Sequence, residues 1–190
     1  MNNITLYLIL ESKDQAPKLT QYNSIYIIEL LGEAIQHLHN HGVLHNDIKS
    51  DNVMVCQANE DGNLQLVLID FGKACKIEQA EYCDIPKKRR KMYREKHSHI
   101  AQEIVEGIAK QSTASNILSV GRIAYRLGQH VYSNEVTDLS ISCTNENVIV
   151  RCSLSLVIEE CYIMLSRVER DRNDSVYLVP VHLFEYYYRN

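Results

Sequence analysis

The stretch from Leu44 to Phe71 constrains the fold more than any other part of the chain. It reads LHNDIKSDNVMVCQANEDGNLQLVLIDF, in which two short β-rich runs, NVMV and LQLVLIDF, flank the polar segment CQANEDGN. Asp61-Gly62-Asn63 within that segment is a strong turn signal, because glycine and asparagine accept the positive φ that a tight turn requires. A hairpin closed there brings its two ends together, so the residues around Asn52 meet Asp70 despite their separation in sequence.

Those ends carry Asp47, Lys49, Asn52 and Asp70: a carboxylate, a cation, an amide oxygen and a second carboxylate. Phosphoryl transfer is mostly positioning and charge neutralisation, and it needs such a set. An acid accepts the hydroxyl proton, a cation stands near the moving phosphate, and hard oxygens hold Mg²⁺. Asp47 is then the base and Lys49 the cation that also faces the nucleotide phosphates. Asn52 and Asp70 are the metal and nucleotide ligands, and Gly72 lets the backbone bend after Phe71. Alone, D-x-K-x-x-N is a polar turn and D-F-G is a weak signal; their conjunction across one hairpin is what carries the reading.

The rest of the chain supplies a helical setting. TLYLIL reads as a buried strand, followed by the connector ESKDQAPK with Pro17. From Tyr22 to His41 the residues Ile25, Ile28, Leu31, Ile35 and Leu38 recur at three- and four-residue steps, which predicts one buried helical stripe, stopped at Gly42. Gly72 to His99 is polar and weakly periodic and is expected as a long surface loop. Helical spacing returns in STASNILSVGRIAYRLG, where Ile117, Val120, Ile123, Ala124 and Leu127 share a face and Ser115 or Thr113 caps the start. Beyond Gln129, LSLVIEECYIMLSRV reads as a helix, VTDLSISCTNENVIV as strand or irregular, and LFEYYYRN has no assignment.

With 190 residues, 45% of them hydrophobic, the chain suits one domain with a packed core. Its net charge of -4 creates no global field for nucleic acid or an anionic membrane. The six cysteines include no C-x-x-C pair, so no zinc or redox motif is spelled out, and reduced thiols are expected. The N-terminus lacks the basic flank of a secretory signal, and the most apolar later segment is broken by Arg151, Glu159 and Glu160. An intracellular, cytoplasmic location follows. The basic tract at 87–91, within PKKRRKMYREK, reads as a solvated charge run, a nuclear address or a patch for an acidic partner.

In its motifs the sequence resembles a eukaryotic protein kinase domain. HNDIKSDN is similar to the catalytic loop H-R-D-L-x-x-x-N, and DFG matches the metal-binding motif unchanged. HSHIAQEIVEG resembles the segment ending in A-P-E, with Glu103 as its acid and Gln102 in place of proline. SNILSVG resembles the start of the large buried helix of the lower lobe. The resemblance runs from about Thr5 to Gly128. It implies an α+β, predominantly α-helical fold, with residues 1–17 as the last upper-lobe strand and hinge and 18–190 as the lower lobe. It also implies ATP and Mg²⁺ as cofactors. Lys49, two places after the acid, implies transfer to serine or threonine of protein substrates, and Glu103 is expected to pair with an arginine, for which Arg172 is the candidate.

Three departures bear on that reading. Asn46 replaces the arginine that grips a loop phosphate in switchable kinases, so control by loop phosphorylation is not expected. Asn116 stands where the family has an aspartate that steadies the catalytic loop; its amide still accepts hydrogen bonds without charge. Gln102 removes a fixed φ from the peptide-binding segment. In addition, no G-x-G-x-x-G precedes Asp47 and no upper-lobe strand lysine is present. The alternative is therefore a truncated or pseudokinase-type binding module, and beyond it a helical interaction protein with remnant motifs.

Overall fold

A computed structural model describes residues 4–11, 19–57 and 64–168. The chain enters through β1 (Ile4–Thr5) and turns at once into α1 (Leu6–Glu11). The strand expected over TLYLIL is thus only two residues long. Leu6 and Ile9, three apart, are both fully buried, and short apolar runs read equally well at helical or strand period. α2 (Gln21–Asn40) follows the expected stripe, with Ile25, Ile28, Leu31 and Ile35 fully buried. Thr20 caps it by accepting the Asn23 N–H at 3.1 Å, and Gly42, at φ 72°, ends it as expected.

β2 (Val43–Leu44) leads into the catalytic-looking loop, and β3 (Val53–Gln57) and β4 (Leu64–Leu68) form the predicted antiparallel hairpin in the register Val53↔Leu68. Its turn residues lie outside the described residues. β1 adds to β3 through Ile4↔Val55, giving a three-stranded sheet in the order β1-β3-β4. β2 pairs separately with β5 (Cys75–Lys76), which pins the start of the segment after Asp-Phe-Gly beside the catalytic loop.

The segment from Gly72 to His99, expected as a loop, is in part regular: the basic tract forms α3 (Lys87–Lys96). Pro86 precedes it, where a missing N–H costs nothing, and lysine, arginine, methionine and glutamate are good helix formers. None of its residues is buried, so no apolar period announced it. α4 (Gln102–Val105) is a single turn. α5 (Thr113–Val131) covers the predicted helix, but its cap is Ser112, whose hydroxyl accepts the Ser115 N–H while the Ser115 hydroxyl accepts the Ser112 N–H. α6 (Asn134–Cys143) replaces the strand or irregular segment expected there; Val136, Leu139, Ser140 and Cys143 are buried at helical spacing. α7 (Leu154–Arg167) agrees with expectation.

α2 packs between α5 and α7, and their apolar faces merge with the sheet in one core. α5 and α6 approach closely because Gly121 has no side chain: a Cβ there would lie 2.4 Å from Cys143 Cβ. The result is an α+β, mostly helical fold, with the sheet edge and β2 delivering one loop to the surface. LFEYYYRN lies outside the described residues.

Candidate active site

Immediately after β2 the chain dives and turns. His45 is fully buried, Asn46 sits in the left-handed region at φ 62°, and Asp47 is buried behind it. Asparagine tolerates that conformation better than most residues, and here its side chain is used as well. Asn46 Nδ2 donates to Lys73 O at 3.2 Å, and Asn46 Oδ1 accepts from Asn116 Nδ2 at 3.2 Å. Asn116 Oδ1 in turn accepts the His45 backbone N–H at 3.0 Å. α5 therefore braces the loop through a neutral amide that both donates and accepts.

The far side of the loop closes on Asn52. Its Nδ2 donates to Asp47 O at 2.9 Å and to Asp47 Oδ2 at 3.2 Å. The hairpin ladder then continues one residue past the strands, with Ile69 N donating to Asn52 O at 3.0 Å, which sets Asp70 beside Asn52. Asp70 is left-handed at φ 62°, and its Oδ1 accepts the Gly72 N–H at 3.3 Å. Phe71 lays its ring on the buried His45, centroids 4.8 Å apart. The structure thus brings three of the sequence-predicted residues, Asp47, Asn52 and Asp70, into one corner, and Lys49 joins them with its Nζ 3.6 Å from Asp47 Oδ2.

Two further side chains converge on Asp47. Lys73 Nζ donates to Oδ1 at 2.8 Å, and His99 Nε2 lies 3.1 Å from the same oxygen. Burial alone would raise the Asp47 carboxyl, but the hydrogen bonds from Lys73 and His99, with the charges of Lys73 and Lys49, hold it down to about 2. Asp47 is an anion at any physiological pH. His99 is pushed below the ordinary imidazole value by burial, against the pull of Asp47, so at neutral pH it donates an N–H rather than carrying charge. Sequence reasoning missed both partners. Lys73 stands next to the D-F-G motif, a signal that was available, whereas His99 lies 52 positions from Asp47 with no local cue.

The oxygens left over fit a hard cation. Asn52 spends its N–H donors on Asp47 and retains Oδ1, and Asp70 retains Oδ2. One amide and one carboxylate oxygen match Mg²⁺, which takes few protein ligands and completes its shell with water and phosphate. Among the described residues no group of three or more histidine, cysteine or acidic side chains could hold a metal.

The acid of the A-P-E-like segment is fixed by a different arginine from the one anticipated. Arg172 lies outside the described residues, and Glu103 is held by Arg151, whose two terminal nitrogens reach its carboxylate at 2.7 and 3.1 Å. Arg151 also donates to Ala114 O at 3.0 Å and Asn145 O at 2.9 Å, and only 1% of its side chain is exposed. The same residue that breaks the apolar run in the sequence is the buried anchor.

The protein kinase domain family matches residues 2–169, and the chain belongs to that family. It is 35% identical over 96 residues to a serine/threonine-protein kinase of Drosophila melanogaster, across 44% of this chain and 13% of that protein. To a probable serine/threonine-protein kinase, PLK, of Dictyostelium discoideum it is 29% identical over 109 residues, across 57% of this chain and 10% of the relative. The matched segments thus span 13% and 10% of those relatives' lengths. Among the described residues no helix is long and apolar enough to cross a membrane.

Proposed function

We propose that the chain carries the phosphotransfer site of a serine/threonine protein kinase, moving the γ-phosphate of ATP to hydroxyls of protein substrates. The observation that supports this most is the corner itself: a buried, ionised Asp47 hydrogen-bonded to Asn52, with Asp70 set beside it by the hairpin ladder. Asp47 accepts the hydroxyl proton, and Lys73, half exposed, gives up Oδ1 to the incoming group. Lys49 faces the phosphates, and Asn52 Oδ1 and Asp70 Oδ2 hold the metal. When bound, Mg²⁺ neutralises charge on the phosphate oxygens. An intracellular setting belongs to the same proposal and rests on the reduced thiols expected of a sequence without paired cysteine motifs.

A binding module without catalysis is the second reading, and the double occupation of Asp47 Oδ1 by Lys73 and His99 favours it. Label transfer from γ-phosphate-labelled ATP to a mixed protein substrate with Mg²⁺ separates the two. The wild-type chain should label serine and threonine, and Asp47→Asn should lower the rate by about 10²–10⁴-fold. Magnesium-dependent ATP binding, lost in Asp70→Ala but unaccompanied by any transfer, would establish the binding module instead.

A further inference from the structure

Beside Asp47 the surface opens into a cleft of ≈ 380 Å³. Lys49 and His99, which both reach the Asp47 carboxylate, also form part of its wall, so the cleft adjoins the groups that hold the reactive oxygen. Its other charged walls are Lys96, Arg122 and Arg126, against a single acid, Asp51. This is a positive concavity in a chain whose net charge is -4. Burial holds the His97 and His99 imidazoles below their ordinary value, so at neutral pH they contribute N–H donors and no charge.

The four cations are not equally committed. Lys49 leans on Asp47, and Arg126 is tied to Glu11 and to Ser50 Oγ, the latter at 2.7 Å. Lys96, the last residue of α3, and Arg122, in the middle of α5, are exposed and have no ion-pair partner among the described residues. Arg122 also borders a second hollow that contains Arg94, Glu103 and Arg151, so its guanidinium sits on the ridge between the catalytic corner and the anchored A-P-E-like segment. Two unpaired cations facing a cleft raise its local potential and attract anions, while like charges are repelled.

Resting on the phosphotransfer reading, we propose that this cleft receives the stretch of protein substrate flanking the accepting hydroxyl and selects acidic side chains in it, with Arg122 and Lys96 as the specificity-determining residues. The partner is a peptide because the cleft is open and its Lys49 and His99 wall adjoins the proton acceptor, so a chain lying in it brings a serine or threonine beside Asp47. The selection is for carboxylates because the two cations with no other engagement are the groups that a neighbouring aspartate or glutamate satisfies. Basic substrates meet repulsion from the same two residues.

The test uses three serine peptides of one length, flanked by glutamate, glutamine or lysine, and reads both binding, by fluorescence anisotropy of labelled peptide, and label transfer from ATP. The wild-type chain should bind the glutamate peptide about tenfold or more tighter than the glutamine peptide at low salt, with the difference shrinking as salt rises. Arg122→Glu/Lys96→Glu should abolish that preference. Lys87→Glu/Lys88→Glu, an equal charge reversal at the other end of α3, should keep it. Arg122→Gln, which adds no acid to the helix, should reduce it and serves should the double reversal fail to fold. Acidic preference in binding without transfer would sustain the cleft while removing the kinase reading. Transfer at equal rates to all three peptides, or a preference lost equally in the Lys87/Lys88 variant, would overturn the proposal and leave the phosphotransfer reading standing.

Discussion

At Arg151 a guanidinium with 1% of its side chain exposed meets Glu103 through Nη1 and Nη2 and two backbone carbonyls through Nη1 and Nε. Removing one partner of a buried pair leaves an uncompensated charge, which costs more than the pair itself contributes. Arg151→Met should therefore destabilise the fold by about 3 kcal/mol in urea unfolding, and adding Glu103→Leu should recover most of that loss. Asp47 makes the complementary case. Its carboxyl is lowered from 3.8 to about 2, so the stability it adds is complete above pH 3.8 and is lost as pH falls through about 2. That is on the order of 2 kcal/mol. An NMR titration of the side-chain carboxyl with a midpoint at or above the ordinary aspartate value would refute the ion-pair geometry. The proximity of Asp47 and Asn52 was legible because loop and hairpin fix their positions locally. Arg151 was legible only as a break in an apolar run, since burial of a charge depends on a partner 48 positions away.

Helix packing explains what a propensity reading finds and what it overlooks. α2 and α5 show their apolar stripes in the sequence because a large core covers one face of each. α3 has no buried face to display, and α6 carries threonine, valine and isoleucine that favour strands in isolation; packing against α5 overrides that preference. The α5–α6 crossing depends on Gly121, where an added Cβ would meet Cys143 Cβ at 2.4 Å and Thr144 Cγ2 at 2.9 Å. Gly121→Ala should cost about 1–3 kcal/mol of stability. α5 also carries Asn116, and Asn116→Ala leaves the buried His45 N–H without its acceptor. The expected loss is about 1–3 kcal/mol, measured by urea unfolding.

Across the whole molecule the buried histidines set a pH response. His39, His45 and His99 are all pushed below the ordinary value of 6.5, chiefly by burial. Between 6.5 and their lowered values the unfolded chain binds more protons than the folded one, so stability falls as pH drops through that window. Glu29, raised by burial, works in the opposite direction, but it is one group against these three and His97, which burial also lowers. The urea midpoint should be lower at pH 5 than at pH 7, and His45→Gln should lessen the difference; an unchanged midpoint would contradict the burial of neutral imidazoles. The α+β class, the long helix α2, the hairpin and the proximity of Asp47, Asn52 and Asp70 were legible in the sequence alone, because each rests on spacing within a few turns or across one tight hairpin, and the family was legible in the resemblance of its motifs. Tertiary structure alone decided that Lys73 and His99 close on Asp47, that Arg151 holds Glu103, and that Lys96 and Arg122 face one cleft. Those contacts join residues 26, 52 and 48 positions apart in the first three cases, where no local period or propensity links the partners, and only the packing of separate elements brings them within reach.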